Sequence, residues 1–359
     1  MYIKAKGGTR MKRVMAAMSG GVDSSVVAAL LKESGVDVTG ATLRLYEKEG
    51  IAPEVAAAKS VCNSLSIEHL VFDMRNTFRR EVIERFSKEY SCGLTPNPCI
   101  ECNKYIKFGA MLDKALDLGF DKIATGHYCD ISFDSACGRH ILYRPADRKK
   151  DQTYVLWRLD QHQLSHIAMP LSRLSKQQVR EIAQNYGFSS ANAKESQDIC
   201  FVPDGDYAAF LQNFEGKTFR QGNYIDLSGN VLGRHLGHQH YTVGQRKGLG
   251  IALGKPQFVI SKDPLCNTVT IGDEEHIFKK RVYIKDVNLI ALPSLEKSIS
   301  CTAKLRYSAR DEKCTIHPLS QTEALIEFES PQRGPTPGQS AVFYDLEAVL
   351  GGGKIVRSE

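Results

Sequence analysis

In the first 125 residues, short β-branched apolar runs alternate with longer amphipathic stretches, and no other feature of the chain restricts its fold as strongly. Arg13 to Met18, Val38 to Leu45 and Ile67 to Phe72 read as strands, with Ser24 to Ser34 and Pro53 to Leu65 as the helices between them. Strands joined through helices run parallel, and a parallel sheet needs helices over both faces, so the pattern predicts an α/β layer. Further helices fit Asn76 to Tyr90, Asn103 to Leu118 and Lys176 to Tyr186, the last stopped by Gly187, and Lys122 to Ala124 fits another buried strand.

From about Gly205 the texture changes: closely spaced glycines separate short strand-like pieces, as in a small β-rich module. Beyond it Val282 to Leu289, Cys301 to Arg306, Cys314 to His317, Ala324 to Phe328 and Ser340 to Tyr344 are short strands spaced by turns, which points to a barrel or sandwich. A chain of 359 residues holds more than one domain, and these shifts divide it into 12–204, 205–276 and 277–359.

Composition excludes several classes. Hydrophobic residues at 42% and charged residues at 25% are those of a globular chain, and no run approaches the roughly 20 apolar residues of a membrane span. The opening segment, with Lys4, Lys6, Arg10, Lys12 and then Arg13, has no apolar stretch of a secretory signal, so it reads as a short basic overhang on a cytoplasmic protein. A net charge of +6 is compatible with a polyanionic partner without demanding one. The 10 cysteines, at 62, 92, 99, 102, 129, 137, 200, 266, 301 and 314, are expected to be thiols in a reducing compartment.

Between the first strand and first helix lies Ser19-Gly20-Gly21-Val22-Asp23-Ser24-Ser25. Two glycines allow a tight turn that gathers backbone N–H groups at a helix start, which suits an anion. The lysine of a G-x-x-x-x-G-K-[ST] loop is absent, which disfavours γ-phosphate transfer. Taken by itself, an SGG turn with serine caps is as readily structural.

Two cysteine segments attract attention. In Leu94-Thr95-Pro96-Asn97-Pro98-Cys99-Ile100-Glu101-Cys102-Asn103-Lys104, prolines fix an extended approach and Cys102 precedes a helix beside Lys104 and Lys107, a setting that favours thiolate. Half a zinc site at Cys99 and Cys102, or two ordinary buried thiols, are the alternatives. Ser196-Gln197-Asp198-Ile199-Cys200-Phe201 places a further cysteine after a polar loop.

The SGGVDSS string resembles the pyrophosphate loop of the N-type ATP pyrophosphatases, which cleave ATP between the α and β phosphates and attach AMP to a substrate oxygen. Together SGGVDSS, TPNPCIECNKYIKFG, ATGHY (124–128), KDQTYVLW (150–157), ESQDICFV (195–202), GQRKGLG (244–250) and TPGQSAVFY (336–344) resemble the motifs of the tRNA-specific 2-thiouridylase family, from residue 14 nearly to the C-terminus. The resemblance implies a parallel-sheet ATP pyrophosphatase domain, a small β-rich central module and a C-terminal β-barrel. It also implies ATP-dependent 2-thiolation of a tRNA wobble uridine: adenylation of the C2 oxygen, then sulfur transfer, with AMP and pyrophosphate released.

By the same resemblance, Cys200 carries a persulfide and Cys102 completes the transfer, leaving a Cys102–Cys200 disulfide for a reductant to reopen; direct attack by the persulfide is the variant. ATP is expected at Ala17, Met18, Ser19, Gly20, Gly21, Val22, Asp23, Ser24, Leu43 and Gly126, with Asp23 also a Mg²⁺ ligand. The tRNA is expected at Asn97, Pro98, Cys99, His127, Lys150, Asp151, Gln152, Arg306, Tyr307 and Gln339. The partners implied are tRNAs of the Lys, Glu and Gln type and a persulfide donor such as a cysteine desulfurase or sulfur-relay protein. Cys99 departs from the pattern, because many relatives carry Asp there. This opens an alternative in which Cys99, Cys102 and Cys200 ligate an iron–sulfur cluster. Rival classes are another adenylating synthetase, which shares the loop without needing paired cysteines, and a non-catalytic RNA-binding protein, which would tolerate loss of Asp23.

Overall fold

The computed structural model describes residues 12–46, 52–192, 199–202, 204–251 and 254–359; the basic overhang before residue 12 and the Glu195–Asp198 part of the second cysteine motif lie outside them. The chain separates into two compact units: residues 1–82, 99–196 and 347–349 in the first, and 83–98, 197–346 and 350–359 in the second.

In the first unit β1 (Arg13–Ala17), β2 (Asp37–Arg44), β3 (His69–Asp73) and β4 (Lys122–Ala124) follow the predicted order with α1 (Val22–Glu33) and α2 (Pro53–Ser64) between the first three. An antiparallel hairpin, β5 (Asp130–Asp134) and β6 (Arg139–Tyr143), comes next, then a short β7 (Ile167–Ala168). The main sheet has the order β3-β2-β1-β4-β7 and is parallel throughout. Because β2 and β3 step to one side of β1 while β4 and β7 lie on the other, the order reverses between β1 and β4, and the loops leaving these two strands border one crevice. Val14 and Ala16 of β1, Val26, Val27, Leu30 and Leu31 of α1, and Val179 and Ala183 of the helix Lys176–Asn185 share one core.

Helix placement follows the pattern with local corrections. The stretch expected as a single helix over Asn76 to Tyr90 is Arg75–Phe78, a π-helical turn Arg79–Ile83, and Glu84–Ser91. The helix expected to start after Cys102 starts at Pro98, with an α-turn Pro98–Glu101, a π-helical stretch Cys102–Ala110 and a final α segment Met111–Asp117. Pro98 suits a first helical position, since it lacks only an N–H that would be unpaired there.

In the second unit a helix, Tyr207–Glu215, precedes a four-stranded sheet of β8 (Gly222–Ile225), β9 (Val231–His235), β10 (Phe258–Asp263) and β11 (Thr268–Gly272), order β10-β11-β8-β9, over a core of Tyr224, Tyr241, Val259, Val269 and Ile271. β12 (Phe278–Leu289), β13 (Ile299–Lys304), β14 (Glu312–Pro318), β15 (Glu323–Arg333), β16 (Ser340–Asp345) and β17 (Ala348–Ser358) run β12-β15-β14-β13-β16-β17, and pairing of β12 with β17 closes them into a six-stranded barrel. Closure leaves no open edge, and Val282, Ile284, Ile316, Ile326, Phe328 and Phe343 fill the interior. Residues 347–349 belong with the first unit, where Ala348 pairs with Tyr143. Among the described residues no helix is long and apolar enough to cross a membrane.

Candidate active site

The loop after β1 and the loop after β4 meet at the point where the strand order reverses. Ala17 ends β1 and Met18 follows it, its amide donating to the Ala41 carbonyl at 2.8 Å. Gly20 has φ +76°, and a Cβ there would stand 2.8 Å from the Glu54 carbonyl oxygen, so this turn admits no side chain. Gly21 is the N-cap of α1 and offers no capping side chain; instead the Ser24 and Ser25 hydroxyls donate back to its carbonyl at 2.9 and 3.0 Å. Ser24 Oγ also accepts from the Ser19 amide at 3.2 Å. The result is a helix start with serine hydroxyls and amides clustered on a glycine turn, a chemistry suited to phosphate oxygens.

Gly126, in the loop after β4, presses on the same turn: a Cβ at this position would lie 2.8 Å from Asp23 Cβ and 3.2 Å from the Ser24 amide nitrogen. This contact joins SGGVDSS to ATGHY. Leu43 is half-buried on β2, opposite Phe72 of β3. His127 Nδ1 lies 2.7 Å from the Thr125 hydroxyl and its ring 5.6 Å from that of Phe108; burial, and secondarily the Lys107 charge, push it well below the usual imidazole range, so it is neutral.

Asp23 is occupied. Lys176 Nζ donates to both its carboxylate oxygens at 2.7 Å, and the Tyr128 hydroxyl donates to Oδ1 at 2.8 Å. Tyr128 is in turn gripped by Gln152, whose Oε1 accepts the Tyr128 backbone N–H at 2.9 Å while the Gln152 backbone N–H donates to the Tyr128 carbonyl at 3.1 Å. Asp151 is buried, accepting from the Thr153 amide (2.9 Å) and hydroxyl (2.6 Å) and pairing with Arg144 at 3.3 Å. Gln152 and Asp151, expected at the tRNA, are thus engaged inside the unit, whereas Lys150 is half-buried at the end of the short turn Arg148–Lys150.

Cys102 is buried at the start of the π-helical stretch, one turn inside the helix, so the first-turn sulfur is that of the exposed Cys99. Wide π turns recur at functional sites because they shift side chains out of regular register. Lys104, expected to favour a Cys102 thiolate, gives its ammonium to Asp160 (2.8 Å) and Gln163 (3.0 Å). The neighbouring Glu101, also buried, is held by Arg158 Nη1 at 2.6 and 2.5 Å, and the Arg158 guanidinium lies 5.7 Å from the Tyr105 ring centre. Asn103 Nδ2 reaches the Val155 carbonyl at 3.0 Å, a second tie between this helix and the KDQTYVLW segment.

In the second unit, Ile199 and Phe201 turn inward to an aromatic cluster of Phe86, Tyr90, Phe210 and Phe219, with Phe201 edge-on to Phe86 at 5.5 Å. Cys200 between them is exposed. Pro98 is buried and Asn97 half-buried beside Thr95, whose amide donates to the Pro337 carbonyl at 2.9 Å and whose carbonyl accepts from Gln339 Nε2 at 2.7 Å. Gln339 therefore anchors the TPNP segment. Arg306 Nη2 donates to the carbonyls of Arg333 (2.7 Å) and Gly334 (3.1 Å), and Tyr307 beside it is 45% exposed.

The donor set at the glycine turn fits a nucleotide polyphosphate: amides, hydroxyls and an ammonium. For Mg²⁺ it supplies the Asp23 carboxylate, already charge-matched by Lys176. Among the described residues no group of three or more His, Cys, Asp or Glu is arranged to hold a metal ion. Three residues of this picture lay outside the sequence motifs or were passed over within them: Lys176, Arg158 and Glu101. The signal for Lys176 was the capping box Ser175-x-x-Gln178 that fixes it as a first helical residue.

Residues 12–204 match a family model described as tRNA methyl transferase HUP domain, 208–273 one described as tRNA methyl transferase PRC-barrel domain, and 279–355 one described as aminomethyltransferase β-barrel domain. The chain is 46% identical to the tRNA-specific 2-thiouridylase MnmA of Lachnoclostridium phytofermentans over 97% of its own length and 100% of that protein. It is also 46% identical to that of Acetivibrio thermocellus (96% and 99% covered) and 45% identical to that of Clostridioides difficile (97% and 99%). With SGGVDSS and ATGHY meeting where the strand order reverses and likeness spread over 97% of its length, the chain belongs to the tRNA-specific 2-thiouridylase family.

Proposed function

We propose that the protein is a tRNA-uridine 2-sulfurtransferase, using ATP to replace the C2 oxygen of a wobble uridine by sulfur. What carries this reading is the near-complete match to proteins named tRNA-specific 2-thiouridylase, within which both Cys102 and Cys200 are present. Residues 12–204 serve as the ATP-binding catalytic domain, 205–276 as a central adaptor and 277–359 as the barrel domain, in the cytoplasm.

The carbonyl oxygen of uridine is a poor leaving group. Attack of that oxygen on the α-phosphorus of ATP expels pyrophosphate and leaves AMP on O2; the amides and hydroxyls of residues 19–25 hold the phosphates while negative charge passes to them. Mg²⁺, when bound with the nucleotide, neutralises phosphate charge and steadies the pyrophosphate leaving group. His127, neutral and braced by Thr125, borders the loop without adding charge. Exposed Cys200 accepts a sulfane sulfur from an external persulfide donor. The Cys102 thiolate attacks the Cys200 sulfur, forming the Cys102–Cys200 disulfide and expelling hydrosulfide; hydrosulfide adds to C2, and the C2–O bond breaks with AMP as leaving group. A dithiol reductant restores both thiols. Asn97 to Cys99, Lys150, Arg306 and Tyr307 contribute to holding the tRNA, while Asp151, Gln152 and Gln339 act by fixing the segments that touch it.

The test is incubation with ATP, a cysteine desulfurase with cysteine, and unmodified tRNA of the Lys, Glu or Gln type, followed by nucleoside mass spectrometry. The reading requires 2-thiouridine at the wobble position and AMP release that depends on tRNA. AMP release on a small carboxylate without tRNA would instead favour a different adenylating synthetase.

A further inference from the structure

Asp23 sits in the first turn of α1, where its Oδ1 already accepts the Tyr128 hydroxyl. It has no need of an ammonium for its own sake, yet Lys176 meets both its oxygens at 2.7 Å with only 12% of the lysine side chain exposed. The consequence is felt by the neighbouring glycine turn, not by Asp23: a polyanion arriving there would be repelled by the bare carboxylate, and the ammonium cancels that charge.

The lysine is also built to move. Its backbone is fixed as the first residue of the helix Lys176–Asn185, by the Ser175–Gln178 capping box and by its amide donating to Asp147 at 3.0 Å. Its charge rides on a four-carbon stem with rotatable donors, and Nζ lies 5.8 Å from the centre of the Tyr128 ring, so the ammonium is flanked by an aromatic face as well as by the carboxylate. A planar arginine fork on both carboxylate oxygens would lack this freedom.

We infer that Lys176 is a phosphate-binding residue of this site, parked on Asp23 in the nucleotide-free protein and passing to the polyphosphate when ATP enters, which frees Asp23. This rests on the reading of residues 19–25 as an ATP site and adds to it the cation that the motif itself lacks. No bond is made or broken; one ion pair is exchanged for another.

The test is calorimetric titration of α,β-methylene ATP into the full chain, with Mg²⁺ and again in EDTA, for wild type, Lys176→Gln, Asp23→Asn and the double variant, with thermal unfolding recorded for each. Lys176→Gln should weaken Mg²⁺-nucleotide binding about ten- to hundredfold, the worth of one charge-assisted contact. Asp23→Asn should strengthen binding in EDTA, by releasing the ammonium, and this gain should vanish when Lys176 is also Gln. Wild-type affinity in Lys176→Gln, or an Asp23→Asn variant that loses nucleotide in EDTA as Lys176→Gln does, overturns the inference and leaves the pair as a structural strut. A wild-type chain that takes up no adenine nucleotide overturns the ATP reading itself. Lys176→Arg, which keeps charge but not the compact stem, should bind between wild type and Gln.

Discussion

Arg158→Met strands the Glu101 carboxylate one residue before Cys102. The pair is largely withdrawn from water, with side-chain exposures of 17% for Arg158 and 6% for Glu101, and both carboxylate oxygens are held at 2.6 and 2.5 Å. Removing one partner of such a buried pair costs about 3–5 kcal/mol, because the remaining charge keeps its desolvation penalty and loses its compensation. Replacing both partners by apolar groups of similar size recovers most of that, so Arg158→Met with Glu101→Met should be more stable than Arg158→Met alone by at least about 2 kcal/mol.

Urea unfolding of wild type, both single variants and the double variant measures this cycle. Equal losses in Arg158→Met and the double variant would refute the reasoning. Because Cys102 begins the next helical stretch, a negative charge left unpaired at 101 should also slow iodoacetamide alkylation of Cys102 in the folded variant.

Gly126→Ala drives a methyl into Asp23 Cβ at 2.8 Å, an overpacking that costs about 1–3 kcal/mol and displaces the first turn of α1; nucleotide affinity should fall more than global stability, as calorimetry and thermal unfolding together would register. In the central module, buried His238 is held down at about 4 from 6.5, first by burial, then by Lys262 and His235, with Asp263 opposing. It is neutral when folded and protonates when unfolded, so stability present at pH 7 is lost as pH falls from 6.5 toward 4, by about 3 kcal/mol in full; His238→Gln should flatten that limb of the thermal stability profile. Gln339→Ala removes the amide from the Thr95 carbonyl and should raise the KM for tRNA with little effect on nucleotide binding, measured by steady-state thiolation and calorimetry.

The α/β layer was legible because β-branched runs and helical periodicity leave a direct imprint on sequence, and the glycine turn because no other residue tolerates its φ and its crowding. The barrel followed from evenly spaced short strands, although its last strand, β17, was not read: its Gly351-Gly352-Gly353 run lacks strand propensity, and its place is fixed by long-range pairing, with β12 across the closure among others. The hairpin of β5 and β6 was missed because its charged residues and exposed Phe133 carry little alternation, and Tyr207–Glu215 because its aromatics also suit a strand. Side-chain pairings were the least accessible. Asp23 and Lys176 lie 153 residues apart, Thr95 and Gln339 lie 244 apart, and nothing in either neighbourhood names the other. For the same reason Asp151 and Gln152 read as tRNA contacts by resemblance, although their side chains are taken up by Thr153, Arg144 and Tyr128.

The division of labour between the two cysteines is tested most directly by following one sulfur atom. Wild type, Cys102→Ser and Cys200→Ser are loaded from a desulfurase with radiolabelled cysteine, freed of donor, and mixed with ATP and unmodified tRNA under single-turnover conditions. The account predicts label on wild type that passes to the wobble uridine, label on Cys102→Ser that stays on the protein, and none on Cys200→Ser. Delivery of label to tRNA by Cys200→Ser at the wild-type yield would contradict it.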